Sequence, residues 1–249
     1  DPDQIMYNGL LAELYQNEGN NEEALAVYSR LLERNPDDPV IQMKLCDFLL
    51  KEKEYDELFS VINTLILNSK ISREEKIAFF GGMIEDTVII NDYSENMKMA
   101  MLILEATYVN DDIVLLLRPE FLTNQKKSTE AAIRLEEIVK LKPDNYPAWE
   151  KLLLIYYEAG NFEKLQISGK EAATRFNRSI LAKILYAHAA MENKDYVTAL
   201  DELKKAEILA GDNEEIQLQV ITMKADIYYR SGNFDEAFKS FEEALRRKS

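Results

Sequence analysis

The chain has 249 residues, 47% of them hydrophobic, with only 8 Gly and 6 Pro, enough for an extensive core and too few breakers for a loop-rich or all-β fold. A single cysteine, Cys46, excludes an internal disulfide, and a single histidine, His188, excludes a histidine-based metal or catalytic cluster within one chain. The formal charge of −15 is unevenly placed: residues 1–125 carry 24 acids against 10 bases, residues 126–249 carry 21 against 20, and an acidic first half repels nucleic acid and anionic membrane.

Turn residues and closing prolines recur along the chain with unit starts near residues 5, 39, 77, 112, 146, 180 and 218. The spacing predicts one array over 1–249, with units at 5–38, 39–76, 77–111, 112–145, 146–179, 180–217 and 218–249. Each unit is expected to be a helix A, a short turn, a helix B and a linker. In the first, Leu11, Ala12 and Tyr15 line helix A, Gly19-Asn20 turns the chain, and Ala24, Tyr28 and Leu31 line helix B ahead of Pro36. Gly at the end of a helix supplies the left-handed conformation. Asn20 with Glu23 has capping-box spacing, and Asp92 with Glu95 and Asn233 with Glu236 repeat it.

The second unit keeps the pattern through Leu45, Cys46 and Leu49, then Tyr55, Leu58, Ile62 and Leu65. The third and fourth depart from it. Gly81 and Gly82 are expected inside a helix, and Pro119 is expected to kink or split one, with a hinge near residues 108–127. The fourth recovers through Ala131, Leu135 and Ile138 before Pro143. In the fifth, Pro143 and Asp144 stop one helix and cap the next, Trp149, Leu152, Leu153 and Tyr156 recur at helical spacing, and Gly160-Asn161-Phe162 turns the chain. Lys194-Asp195-Tyr196 and Gly232-Asn233-Phe234 mark the last two turns. Ala12, Ala24, Ala187, Ala199, Ala225 and Ala237 fall where helices approach closely.

This pattern of large apolar, small, aromatic, then Gly, aromatic, Ala, aromatic, Ala and Pro resembles the tetratricopeptide repeat family. Residues 146–179 match it from Trp149 through Phe162, and 5–38 and 218–249 match at most positions. The resemblance implies an all-α, right-handed superhelical solenoid of about seven antiparallel helical hairpins. It also implies a non-catalytic scaffold that binds protein or peptide in a concave groove lined by the A helices. Carried onto this chain, the groove positions are Glu13, Asp47, Glu85, Glu120 and Asp226, with Leu154 and His188 at the same phase in the fifth and sixth units. Met43, Tyr157, Ile184 and Tyr229 lie beside them. The family's carboxylate clamp of Lys, Arg and Asn has no counterpart apart from isolated Lys44 and Lys151, so a basic or mixed basic-apolar partner is expected. Solvation of a surface explains the acids equally well.

No enzyme, cofactor or metal site is expected. Cys46 takes a small-residue packing slot, and Ser168-Gly169-Lys170 lacks the glycine, and the Ser or Thr after Lys, that a phosphate loop needs. Asp37-Asp38, Asp111-Asp112 and Asp212-Asn213 precede helices as N-caps. No apolar run is long enough to insert in a membrane. Asp1-Pro2-Asp3 has the form of a closing linker, so further repeats outside the chain, or self-association through its terminal helices, are both open. Two other roles also stay open, the repeat region of a larger enzyme or regulator, and a bacterial cell-envelope assembly component. Bacterial cytoplasm and periplasm are equally compatible with the sequence.

Overall fold

The computed structural model describes residues 2–248; Asp1 and Ser249 lie outside the described residues. Among those described, every regular element is an α-helix, and none is long and apolar enough to cross a membrane. The fold is the all-α, tetratricopeptide-like array of antiparallel hairpins. The chain divides into two compact units, Asp1–Ala131 and Ala132–Ser249.

The first unit contains α1 (Pro2–Asn17), α2 (Asn21–Arg34), α3 (Pro39–Glu52), α4 (Tyr55–Leu67), α5 (Arg73–Met83), α6 (Thr87–Asn91), α7 (Ser94–Thr107) and α8 (Val114–Asn124). It also holds the first residues of α9 (Ser128–Leu141). Helices α1 with α2 and α3 with α4 pack as hairpins, and α2 packs on α3. Their apolar faces close over one core that includes Tyr28, Leu45, Leu58, Ile62, Phe80 and Met97. Ala12 and Ala24 are fully buried in it, as the close-approach reading requires. Leu11, expected in the core, is exposed beside Leu10 and Leu14.

Several local expectations are corrected. Pro2 and Asp3 belong to α1 and not to a linker. The third pair begins at Ser72, whose side chain accepts from the Glu75 amide while Glu75 bonds back to the Ser72 amide, a complete capping box that starts α5 at Arg73. Gly81 and Gly82 therefore fall in its last turn, and the five-residue α6 separates it from α7. That helix starts after Tyr93, which gives no side-chain cap, so the Asp92–Glu95 box does not form. The Asn20 side chain does not cap α2 either; its amide donates to Glu18. Pro119 lies inside a single continuous α8, held among buried Leu115, Leu117 and Phe121, and neither splits the helix nor ends it. The expected linker caps form at Asp38 and Asn213, whereas the N-cap of α8 is Ile113 and Asp111, two residues earlier, accepts from the Ile113 and Val114 amides.

The second unit holds the rest of α9, then α10 (Tyr146–Glu158), α11 (Phe162–Arg175), α12 (Ile180–Glu192), α13 (Tyr196–Ala210), α14 (Glu214–Arg230) and α15 (Phe234–Lys248). Helices pair as α10 with α11, α12 with α13 and α14 with α15, and successive pairs stack through α11 on α12 and α13 on α14. The α10 cap is Asn145, accepting from the Ala148 amide, while Asp144 pairs with Arg175. Ala187, Ala199 and Ala225 are fully buried at the contacts.

One device recurs in both units. The fourth residue of α3, α5, α10, α12 and α14 is Gln42, Lys76, Trp149, Lys183 and Gln217, respectively. Each donates a hydrogen bond to a carbonyl before its own helix: Pro36, Asn68, Pro143, Ala173 and Gly211. Helix C-termini leave carbonyls without partners, and these side chains supply the donors. Lys76 is 1% exposed and reaches its carbonyl at 2.8 Å while its ammonium sits 5.3 Å from the centre of the Tyr108 ring.

Candidate functional site: the helix-A face

In the first unit the expected groove acids are not equivalent. Glu13 of α1 is ion-paired with Lys44 of α3. Asp47 is exposed on α3 and forms no ion pair among the described residues, and partial removal from water holds its carboxyl above the usual range. Met43 is half-buried against the core one turn before it. Glu120 is half-buried on α8. Glu85 departs from the expectation, lying in the turn after α5 and not on a helix A.

In the second unit the face is aromatic. Tyr157 of α10 is 40% exposed, and the His188 ring of α12 meets it edge-on at 5.0 Å. The imidazole also stacks on Phe162, the first residue of α11, at 5.5 Å and 19°. Its Nδ1 is buried without a hydrogen-bond partner, so ring contacts hold His188 in place. Leu154 is half-buried one turn before Tyr157. Ile184, expected at the groove surface, is buried in the core because α10, α11, α13 and α14 all pack around α12. Asp226 is bound by Arg230 at 2.9 Å, and Arg230 also reaches Glu192 at 2.9 Å, so this acid too is internally neutralised.

Tyr229 and Phe234 repeat the first aromatic pair. Both stretches read Tyr-x-x-Gly-Asn-Phe, at 157–162 and 229–234. Gly160 and Gly232 take φ of 64° and 83°, the left-handed turn that places each phenylalanine back beside its tyrosine. Tyr229 lies 5.8 Å from Phe234, and the two rings are 61% and 63% exposed, with no ring corresponding to His188 against them among the described residues. The phenylalanines are readable as turn markers, and their part in the site shows only in the repeat of the whole six-residue string.

The face carries binding groups and no reactive centre among the described residues. Burial pushes the Cys46 thiol up to about 12, away from the thiolate form at neutral pH. No three His, Cys, Asp or Glu side chains are grouped there to hold a metal ion.

A tetratricopeptide-repeat family model matches residues 9–62 and a second matches residues 218–249. No curated protein matches the chain. Among solved structures, MamA (41-end) from Desulfovibrio magneticus RS-1 aligns with 69% of this chain and 94% of its own at 14% identity and a TM-score of 0.54. Another MamA crystal structure aligns with 70% and 93% at 14% identity and 0.55, and MamA of MSR-1 with 70% and 97% at 16% and 0.53. At these identities the likeness is one of fold.

Proposed function

We propose that this chain, a tetratricopeptide-repeat protein, is a protein-binding scaffold whose A helices present the docking surface. The observation that carries this reading is the exposed Tyr229–Phe234 pair, whose sequence counterparts Tyr157 and Phe162 each pack against the ring of His188. A planar or branched apolar side chain fits such a pair, and exposed aromatic anchors are where binding free energy concentrates. Selection is for a basic or mixed basic-apolar segment. In the first unit Asp47 is an exposed acid on α3 with no ion pair among the described residues, and exposed charge pairs of this kind steer and select more than they hold.

The test is calorimetric titration with a synthetic peptide of interspersed Lys and Leu or Phe. Tyr229→Ala should weaken binding by about 1–2 kcal/mol, as loss of an aromatic anchor does. Asp47→Lys, which tests the first unit by itself, should reduce the salt dependence of binding. Binding indifferent to both substitutions and to salt would refute the reading.

A further inference from the structure

Two helices carry exposed apolar rows that the helix-A reading does not use. On α15, Phe238, Phe241 and Leu245 follow at helical spacing, and Phe238 and Leu245 are 65% and 67% exposed. On α1, Tyr7, Leu10, Leu11 and Leu14 are exposed in the same way. The hairpin turns supply a common register for both rows. The amides of Asn20, Asp195 and Asn233 donate to the carbonyls of Tyr15, Ala190 and Tyr228, respectively, so the three turns are equivalent.

In that register α13 and α14 show what such rows do. Leu200, Leu203 and Glu207 of α13 hold the places of Phe238, Phe241 and Leu245. Val220, Met223, Lys224 and Ile227 of α14 hold the places of Tyr7, Leu10, Leu11 and Leu14. Leu203, Val220 and Ile227 are fully buried in one cluster, and Leu200 and Met223 pack against it. Glu207 and Lys224 close the contact with an ion pair of 2.6 Å. The positions that join α13 to α14 are thus the ones that stand in water on α15 and α1, where apolar burial is still to be gained.

The charged pair decides which surfaces fit. Leu245 and Leu11 stand where Glu207 and Lys224 meet, so α1 against α15 sets leucine on leucine. A glutamate or lysine on one side alone would be buried without its partner. We propose that α15 docks α1 of a second copy of this chain, in the register in which α13 holds α14, and that copies join head to tail. The contact is heterologous, two different faces per copy, and so extends into a ring or an open row of copies. It uses neither Tyr229 nor Asp47, and stands or falls apart from the helix-A reading.

Sedimentation of the 249-residue chain should show mass rising with concentration. Phe238→Glu and Leu10→Glu, both at exposed positions, should each remain monomeric, and circular dichroism melts verify that they fold. Mixed in equal amounts they should form a one-to-one dimer and nothing larger, because the first keeps its α1 face and the second its α15 face. Leu11→Lys or Leu245→Glu alone should weaken association by about tenfold or more, as burial of an unpaired charge does. The two together in one chain should restore it, by recreating the Glu207–Lys224 pair across copies. A chain monomeric at every concentration, association that Leu10→Glu leaves intact, which would mean that two α15 faces meet each other, or a mixture that stays monomeric each overturns the proposal.

Discussion

A methyl group added to Gly169 would sit 3.0 Å from Cβ of Tyr186 and 3.1 Å from its Cα. The glycine in the string that imitates a phosphate loop is thus what lets α11 approach the α12 backbone. Gly169→Ala gains up to ~1 kcal/mol of helix propensity and loses ~1–3 kcal/mol to overpacking, and because the neighbour is backbone the loss should win. Gly81→Ala, where a methyl meets nothing within 4 Å, should be neutral or stabilising. Urea unfolding of the two variants checks both signs. Asp111 holds Arg73 through two bonds of 2.5 and 2.6 Å and accepts from the Ile113 and Val114 amides. The Arg73 bonds, chiefly, lower its carboxyl to about 2. A depressed folded value contributes stability that is fully present above the unfolded value of about 3.9 and is lost as pH falls toward 2. Asp111→Asn should therefore flatten the loss of stability between about pH 4 and pH 2 in acid titrations followed by circular dichroism.

Among the helices, the donor at the fourth position of an A helix joins hairpins alongside the apolar stripe. Gln42 shows the consequence. Its amide donates to Pro36 at 2.6 Å and its carbonyl accepts from Asn68 at 2.8 Å, tying α3 to the linker behind it and to the end of α4. Gln42→Leu conserves bulk but strands both partners, and should destabilise by ~1–3 kcal/mol in denaturant titration. This device was not legible in the sequence. Gln, Lys and Trp share no hydropathy, only the reach of a donor, whereas periodicity registers apolar positions alone. Turns were more legible, since an aromatic or Asn marks them even where Lys53, Lys126 and Lys194 take the left-handed conformation that Gly19, Gly160 and Gly232 take elsewhere.

Over the whole molecule, the hairpin fold was readable because a repeat near 34 residues outlasts local exceptions. Its phase slipped at the third hairpin, where α6 is inserted and the Ser72 box starts α5 four residues before the expected 77. The surroundings of the candidate site residues were less legible, since Glu85 falls in a turn and Ile184 in the core. Formal charge counts Glu13 and Asp226 as available acids, yet Lys44 and Arg230 come to them from elsewhere in the fold or from the next helical turn. Folding thus reduces the acidic ladder and brings forward the aromatic pairs, which sequence spacing marks only as turn and packing residues.

The two Tyr-x-x-Gly-Asn-Phe strings have a spectroscopic consequence. Tyr157 and Phe162 lie 5.0 and 5.5 Å from the His188 ring, close enough for their ring currents to displace its carbon-bound proton resonances. A partner side chain packed on the exposed Tyr229 and Phe234 rings should likewise show ring-current shifts, which proton spectra of a titrated peptide would read directly.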